Sequence, residues 1–291
     1  MDYESRALEE SDRDAILEIA RTTWEGHDHL PKMFDEWIAY SECHPLAITS
    51  EERVVALGCV RVIEEGKTAW LEGLRVHKDF RGRGLARKIT ELLRDLAVEL
   101  GARRARLTTA IDNPIPQRLA ESIGMSCVAL LDIIWTTNRR RRKPPDESVT
   151  VDQCSVEEFV GYAQGQNGLV PGNVITYFWY ALDATEYAVT KLKEITGIQC
   201  LAAWKDSDLV GLSIGYPRGP EDNREWSTTI YPSSKDTLLS LLYHQMPHCV
   251  ESGISTLMLQ YPAKFTEYVK DNVLWRRARH SLTLGLFEGL L

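Results

Sequence analysis

A carboxylate and a cluster of arginines lie within one short stretch, WLEGLRVHKDFRGRGLARKI, at residues 70–89. The stretch alternates like a strand as far as Val76, and after a turn rich in arginine and glycine it continues as a helix. Glu72 is a candidate general base. The turn at residues 81–84 is a candidate anion site, because a helix start offers unpaired N–H groups and the positive end of the helix dipole.

Strand alternation predicts the surroundings of Glu72. In a regular strand Thr68–Val76, Glu72 shares a face with apolar residues such as Leu74, and Arg75 lies on the other face. An apolar environment would raise the pKa of Glu72 and make it a better base. A salt bridge with an arginine is the alternative, purely structural interpretation. Gly73 favours a β-bulge or the close approach of another molecule.

The glycine spacing narrows the kind of anion. The chain lacks the G-x-x-x-x-G-K-[ST] string of a P-loop, and the dinucleotide pattern G-x-G-x-x-G fails because Arg87 stands at its third glycine. The turn matches R/Q-x-x-G-x-G/A as Arg81-x-x-Gly84-x-Ala86. With the strand before it, the long helix after it and Asn113 beyond the next strand, residues 3–135 resemble the GNAT acetyltransferase superfamily.

This resemblance implies a mixed α/β fold with a splayed central sheet that binds acetyl-coenzyme A. In that superfamily the amides of the turn hold the pyrophosphate, and the backbone of the fourth strand pairs with the pantetheine arm like an added strand. The coenzyme-binding residues implied here are Leu74, Arg75, Val76, Arg81, Gly82, Arg83, Gly84, Leu85, Ala86, Arg87 and Asn113.

The resemblance does not identify the residue that protonates the departing thiolate. Many superfamily members place a tyrosine, the acid for the departing thiolate, in the pattern N-x-x-A-x-x-L-Y. Here the run is Asn113-x-x-Pro116-x-x-Leu119-Ala120, so alanine stands where the tyrosine would be. Water, Ser122 or a group from the second half of the chain are the alternatives.

The acceptor side is predicted from a looser resemblance. The strings GHDHLP…FDEW, WLEGLRV and RLTTAIDNPIP look like those of the vertebrate histidine N-acetyltransferase group. In EGHDHLP, Asp28 could hold an amine, and His27 or His29 could hold a carboxylate. A polar loop between two helices, without a binding role, is the other interpretation.

The order of predicted elements is β-α-α-β-β-β-α-β-α-β, and a similar order recurs later in the chain. We predict a GNAT domain at residues 1–138, a basic and proline-rich linker at 139–147, and a degenerate GNAT-like domain at 148–291. The linker, whose Arg139–Lys143 run could also serve nuclear import or RNA binding, is most simply a solvated crossing. The second domain has no glycine or arginine in the corresponding turn, so it should not bind the coenzyme.

Composition and charge argue against several other classes of protein. The net charge is −8 and no broad basic face is indicated, which argues against a nucleic-acid partner. No run approaches the roughly 18 apolar residues of a membrane span, and the acidic start does not resemble a signal peptide. The six cysteines are scattered, so we expect a reduced, cytoplasmic protein. His244, His248 and Cys249 suggest part of a zinc site, but Pro247 and the missing ligands argue for no metal.

The predicted function is transfer of an acetyl group from acetyl-coenzyme A to the amine of a small molecule, such as the free amino acid histidine. The alternatives are a non-catalytic acetyl-coenzyme A sensor and a peptide N-terminal acetyltransferase. The sequence does not predict the oligomeric state.

Overall fold

The computed structural model describes residues 2–23, 28–137, 148–165, 168–271 and 278–291. No helix in these ranges is long and apolar enough to span a bilayer. The chain divides into two compact units. Unit 1 comprises Met1–Thr109, Asn113–Cys127 and Phe287–Leu291, and unit 2 comprises Ala110–Asp112 and Val128–Leu286.

The predicted element order is confirmed in the first part of the chain. The elements are β1 (Glu4–Ala7), α1 (Arg13–Arg21), α2 (Leu30–Ala39), β2 (Cys43–Ser50), β3 (Arg53–Ile63), β4 (Thr68–Val76), α3 (Leu85–Glu99), β5 (Arg104–Ala110), α4 (Pro114–Ser122) and β6 (Ser126–Thr137). In unit 1 the strands follow the order β1-β2-β3-β4-β5. Neighbouring strands are antiparallel except β4 and β5, which are parallel.

The core of unit 1 lies on both faces of this sheet. On one face α3 buries Leu85, Ile89 and Leu93, whose spacing places them on a single side of the helix. On the other face α1 and α2 bury residues that include Phe34 and Trp37. The sheet is therefore covered by α3 on one side and by the α1–α2 pair on the other.

Strand β4 carries a bulge and separates early from β5. Leu57 of β3 pairs with Arg75, whereas Cys59 pairs with Glu72, so β4 has one residue more than β3 over this interval. Gly73 lies in the bulge with φ +69°. Pairing between β4 and β5 covers Thr68–Trp70 only. The expected splay of the sheet therefore begins after Trp70.

A buried ionic network holds β4 and β5 together where they are still paired. Arg106 of β5 has a side chain only 1% exposed, and it lies 3.2 Å from Glu64 and 2.5 Å from Glu288. Arg104 and Thr68 bind the same Glu64 carboxylate. Such buried charges are tolerated because each has an oppositely charged partner. The network marks the closed end of the opening between the strands.

Unit 2 repeats the plan of unit 1. Its elements after β6 are β7 (Thr150–Cys154), α5 (Val156–Gln164), β8 (Val174–Tyr177), β9 (Tyr180–Asp183), α6 (Glu186–Lys193), β10 (Gln199–Lys205), β11 (Asp208–Arg218), β12 (Glu225–Pro232), α7 (Lys235–Glu251), β13 (Thr256–Pro262), α8 (Thr266–Asp271) and β14 (Ala278–Leu290). The order β7-β10-β11-β12-β13 matches that of unit 1, and β12 and β13 are again the parallel pair. The hairpin β8–β9 is an addition to the repeated plan.

The two units exchange strands near their ends. Residues from Val128 onward, most of β6, group with unit 2, where Leu131–Thr137 pairs with β13. Phe287–Leu291 groups with unit 1, and the Leu291 N–H donates to the Arg103 carbonyl at 3.0 Å. The proposed linker at 139–147 falls outside the described residues, and the predicted domain boundaries stay a prediction.

Candidate active site

Glu72 is held by two side chains. The Trp37 Nε1–H donates to Glu72 Oε1 at 2.9 Å, and Arg61 donates to the same oxygen from Nε at 3.2 Å and from Nη2 at 3.1 Å. The Glu72 side chain is 7% exposed. Arg61 also lies 3.7 Å from Glu36 of α2. Glu72 is thus an ion-paired carboxylate of fixed orientation.

The prediction that Glu72 stands alone on an apolar stripe was wrong. It assumed regular alternation along β4, but the bulge adds one residue between Glu72 and Arg75. The two side chains therefore share a face, and the strand pair places Arg61 opposite Trp70 on that same face. Leu74 packs instead against the core on the α3 side. The carboxylate lies among arginines because strand pairing brings Arg61 to its face and the bulge brings Arg75 there.

The bulge is fixed by contact with Trp37. A Cβ atom at Gly73 would lie 2.3 Å from Cζ2 and Cη2 of the Trp37 ring, far inside van der Waals contact. Because φ at Gly73 is also positive, the position requires glycine on two grounds. The indole thus packs on the bulge while its N–H binds the neighbouring carboxylate.

Asp28 is ion-paired as well. Arg75 donates from Nε to Oδ2 at 2.8 Å and from Nη2 to Oδ1 at 2.9 Å, a two-point pair. The Asp28 side chain is fully buried, and Oδ1 also accepts the Leu30 N–H. His29 is exposed at the start of α2, and His27 lies outside the described residues. An amine bound by Asp28 would therefore have to compete with the Arg75 side chain. Because that side chain is paired with Asp28, the predicted coenzyme contact of Arg75 is left to its backbone.

The predicted anion turn is exposed and starts α3 directly. Gly82 and Gly84 have φ of +73° and +79°, and a Cβ at either position would meet nothing within 4 Å. The glycines are thus required by backbone conformation, and open space remains above them. The first amides of α3, at Leu85, Ala86 and Arg87, have no intrahelical acceptor by helix geometry.

The three predicted arginines surround this turn. They donate hydrogen bonds within unit 1, Arg81 to the Val76 carbonyl at 3.3 Å, Arg83 to the Asp79 carbonyl at 3.1 Å and Arg87 to Glu91 at 2.9 Å. All three residues are exposed. Their positive charge therefore lies at the turn in the solvent, where it favours a phosphate group.

These features fit acetyl-coenzyme A. The splayed part of β4, Leu71–Val76, is long enough to pair with an extended arm, as an added strand would. It runs toward the amides and arginines of the turn, which suit a pyrophosphate. Leu74, Val76 and the turn residues are thus brought onto one path. Asn113 is exposed at the N-cap of α4, and no contact described here joins it to that path.

The position of the missing tyrosine is closed to the solvent. Ala120 is fully buried in the core on the α3 face. Ser122 is exposed at the last turn of α4, and its hydroxyl donates to the Leu119 carbonyl at 2.7 Å. Neither residue is arranged as a proton donor to a leaving group.

Comparison with known proteins agrees with this geometry. The profile of the Acetyltransferase (GNAT) family matches residues 13–125. These residues belong to the GNAT family. The splay after Trp70, the bulge and the turn at residues 82–86 are thus features of a GNAT domain.

The named relatives align with only part of this chain. A histidine N-acetyltransferase from Scomber australasicus is 34% identical over 77 residues, which make up 26% of this chain and 23% of the relative. The chain spans about a quarter of the length of the histidine N-acetyltransferases that it matches. A glucosamine 6-phosphate N-acetyltransferase from Arabidopsis thaliana is 27% identical over 137 residues, covering 43% of this chain and 90% of that one.

Two solved structures share the fold of the whole chain. A GCN5-related N-acetyltransferase from Sphaerobacter thermophilus aligns over 99% of this chain and 95% of its own, with a TM-score of 0.63 and 14% identity. A tandem GNAT protein from the clavulanic acid biosynthesis pathway covers 99% and 98%, with a TM-score of 0.58 and 14% identity. The predicted second GNAT-like domain is therefore confirmed as a fold.

Unit 2 has lost the anion turn. At the start of α7, Ser234 accepts the Thr237 N–H at 3.1 Å, so a side chain caps one of the amides that a phosphate would use. The hairpin β8–β9 covers the face of β12 and β13 away from α7. The Tyr231 hydroxyl binds the Thr176 backbone, and Gln260 donates to the Phe178 carbonyl at 3.1 Å. Residues 177–180, with the sequence YFWY, thus form the half-buried tip of this cover.

The zinc interpretation of α7 finds no support among the described residues. The helix continues through Pro247. His244 Nδ1 lies 2.8 Å from the Ser240 carbonyl, His248 stacks on Trp226, and the Cys249 thiol donates to the Ile254 carbonyl. The three side chains are engaged separately.

Two site residues were absent from the predictions. Trp37 is 35 positions from Glu72 and Arg61 is 11 positions away. Strand pairing could have suggested Arg61, because a hairpin between β3 and β4 places the two strands together. Nothing in the local pattern predicts that the indole of α2 reaches over Gly73.

We predict that Gly73→Ala destabilises the protein more than Gly66→Ala does. Both glycines have positive φ, but a Cβ at Gly66 meets nothing within 4 Å. The difference in unfolding free energy between the two variants therefore measures the overlap with Trp37. Overpacking of this kind typically costs about 1–3 kcal/mol. Chemical denaturation of both variants measures the difference. Equal losses of stability would contradict the proposed fit between Trp37 and the bulge.

We also predict that Gly84→Asp weakens acetyl-coenzyme A binding at least about tenfold, or about 1.4 kcal/mol. The carboxylate would repel the pyrophosphate, whereas the backbone strain of a side chain at φ +79° is common to aspartate and asparagine. Gly84→Asn is the matched control, because it has the same shape without the charge and should lose less affinity. Calorimetry measures both, and undiminished affinity in Gly84→Asp would refute the assignment of the turn.

Proposed function

We propose that this protein is an acetyl-coenzyme A-dependent N-acetyltransferase that acts on the amine of a small molecule. The observation that carries the proposal is the opening of the sheet after Trp70. From there, one edge of β4 leads past Glu72 to the exposed amides of the turn at residues 82–86. A coenzyme site and a candidate base thus lie on a single strand.

In this proposal the backbone holds the coenzyme. The Leu74 and Val76 region of β4 binds the arm, and the amides from Gly82 to Ala86 bind the pyrophosphate. The bound coenzyme supplies an acetyl thioester with a thiolate as its leaving group. The protein contributes orientation, a base for the amine and a site from which water is partly excluded.

Glu72 is proposed as the base that takes a proton from the attacking amine, directly or through water. Trp37 and Arg61 both donate hydrogen bonds to its Oε1 atom. Their hydrogen bonds fix the carboxylate in one orientation, so little rearrangement is needed when the amine arrives. We assign protonation of the thiolate to water, because Ala120 has no donor and Ser122 binds Leu119.

A free amino acid is the proposed class of acceptor, with histidine as the first compound to test. The names of the relatives point to small acceptors, histidine in one group and glucosamine 6-phosphate in the other. The α-amine of an amino acid is less basic than the side-chain amine of lysine, whose pKa is about 10.4, so more of it is neutral near pH 7. Such an acceptor suits a site whose base is ion-paired and whose tyrosine is absent.

A non-catalytic acetyl-coenzyme A sensor is the second candidate. It is favoured by the salt bridge between Glu72 and Arg61 and by the buried Ala120 at the tyrosine position. The sensor would bind the coenzyme through the same turn and strand. It differs from the enzyme in releasing no thiol when amines are supplied.

We expect a panel of amines to show release of coenzyme A with one or more free amino acids. The panel should contain free amino acids, polyamines and peptides with free N-termini, each followed by thiol release and by mass spectrometry of the product. Acetylation confined to peptides would indicate a peptide N-terminal acetyltransferase. Coenzyme binding without thiol release from any amine would favour the sensor.

Glu72→Gln should lower turnover by about 10²–10⁴-fold, the usual scale for general acid–base catalysis, with little loss of coenzyme affinity. Glu36→Gln is the control, since Glu36 is a second carboxylate near Arg61 but at 3.7 Å; we expect it to change turnover by less than about tenfold. Steady-state rates at saturating substrates and calorimetry separate the two effects. If Glu72→Gln keeps full turnover at pH 7, Glu72 is not the base.

A further inference from the structure

Two buried thiols lie beside the candidate base. Cys43 of β2 and Cys59 of β3 face the same side of the sheet as Glu72, which pairs with Cys59 across β3 and β4. The two sulfurs and a Glu72 oxygen all lie within 4.8 Å of one another. Cys59 is fully buried, and Cys43 and the Glu72 side chain are each 7% exposed.

This set of donors matches a thiophilic divalent cation. Zinc binds thiolates at about 2.3 Å and carboxylates at about 2.0–2.2 Å in tetrahedral geometry, which places two sulfur ligands about 3.8 Å apart. The two sulfurs lie within 4.8 Å of each other, so they need to approach by at most about 1 Å to reach this arrangement. Three protein ligands leave one position for water.

The charges also fit. Two thiolates and a carboxylate around a divalent ion leave a net charge of −1, and the Arg61 guanidinium lies 3.1 Å from Glu72 to offset it. The pKa of Cys43 lies below its usual value, chiefly because of its hydrogen bond with Cys59, although burial opposes this. Burial raises the pKa of Cys59. Both thiols would lose their protons as the metal binds.

We propose that Cys43, Cys59 and Glu72 form an inhibitory site for Zn²⁺. Binding forms two S–Zn bonds and one O–Zn bond and releases two protons to the solvent. The metal has no part in the acetyl transfer. Zinc inhibits the enzyme because a Glu72 carboxylate bound to zinc is no longer available as a base. The inhibition rests on the proposed function, whereas the metal site does not.

A second pair of thiols provides a matched control. Cys154 and Cys200 face each other across β7 and β10 of unit 2, with Cys200 buried. Among the described residues this pair is not joined by a third ligand within the same spacing. It therefore tests whether two neighbouring thiols alone suffice.

The test is calorimetric titration of chelator-treated, full-length protein with Zn²⁺ in the presence of a phosphine reductant and without coenzyme. We expect one ion per chain, release of protons, and a thiolate-to-cobalt charge-transfer band when Co²⁺ replaces Zn²⁺. Cys43→Ser, Cys59→Ser and Glu72→Gln should each weaken binding at least about tenfold. Cys200→Ser should bind as the unaltered protein does.

Absence of binding, or binding weakened by Cys200→Ser but not by Cys59→Ser, would overturn the site. If the serine variants do not fold, Glu72→Gln decides, because it preserves shape and removes only the charge; unchanged affinity there would overturn the site. Inhibition is measured separately, as each variant's rate with Zn²⁺ relative to its own metal-free rate. Binding in a protein that acetylates no amine would support the metal site while refuting the proposed enzyme.

Discussion

The bulge at Gly73 is the constraint on which the rest of the site depends. One additional residue in β4 turns Arg75 to the side of Glu72 and sends Leu74 to the α3 core. The indole of Trp37 fits over the bulge only because Gly73 has no side chain. Helix α2, the carboxylate and the edge of β4 are thereby fixed together. In a regular strand of the same composition, Leu74 instead of Arg75 would lie on the face of Glu72.

Features coded by neighbouring residues were predicted well from the sequence. The strand, the turn at residues 82–84 and the long helix after it lie within one short segment, and their glycine and apolar spacing has a local physical meaning. The repeated order of elements in unit 2 was predicted for the same reason. The contact of Glu72 with Trp37 was not predicted, because Trp37 comes from a separate helix. The position of Arg75 was not predicted, because a bulge shifts every later side chain to the opposite face. Asp28 was expected to be available for a ligand, yet its partner Arg75 lies 47 positions along the chain.

The two units share a strand order but differ at the turn that leads into the helix. Unit 2 has the same strand order, with the same parallel pair in the middle. A capping serine at the start of α7 satisfies the Thr237 amide, which a phosphate would otherwise use, and the added hairpin covers the face away from that helix. The stability of such a sheet comes from its buried faces, so neither change conflicts with the fold.

The exchanged strands set an order for folding during synthesis. Residues 287–291, which complete unit 1, are translated only after all of unit 2. The Glu288 partner of the buried Arg106 therefore reaches its place last. In a nascent chain that has emerged as far as α4, Arg106 has an incomplete set of partners. Unit 1 is therefore synthesised first but completed last. Ribosome-bound intermediates of this protein should thus expose an unfinished sheet edge for most of the time that translation takes.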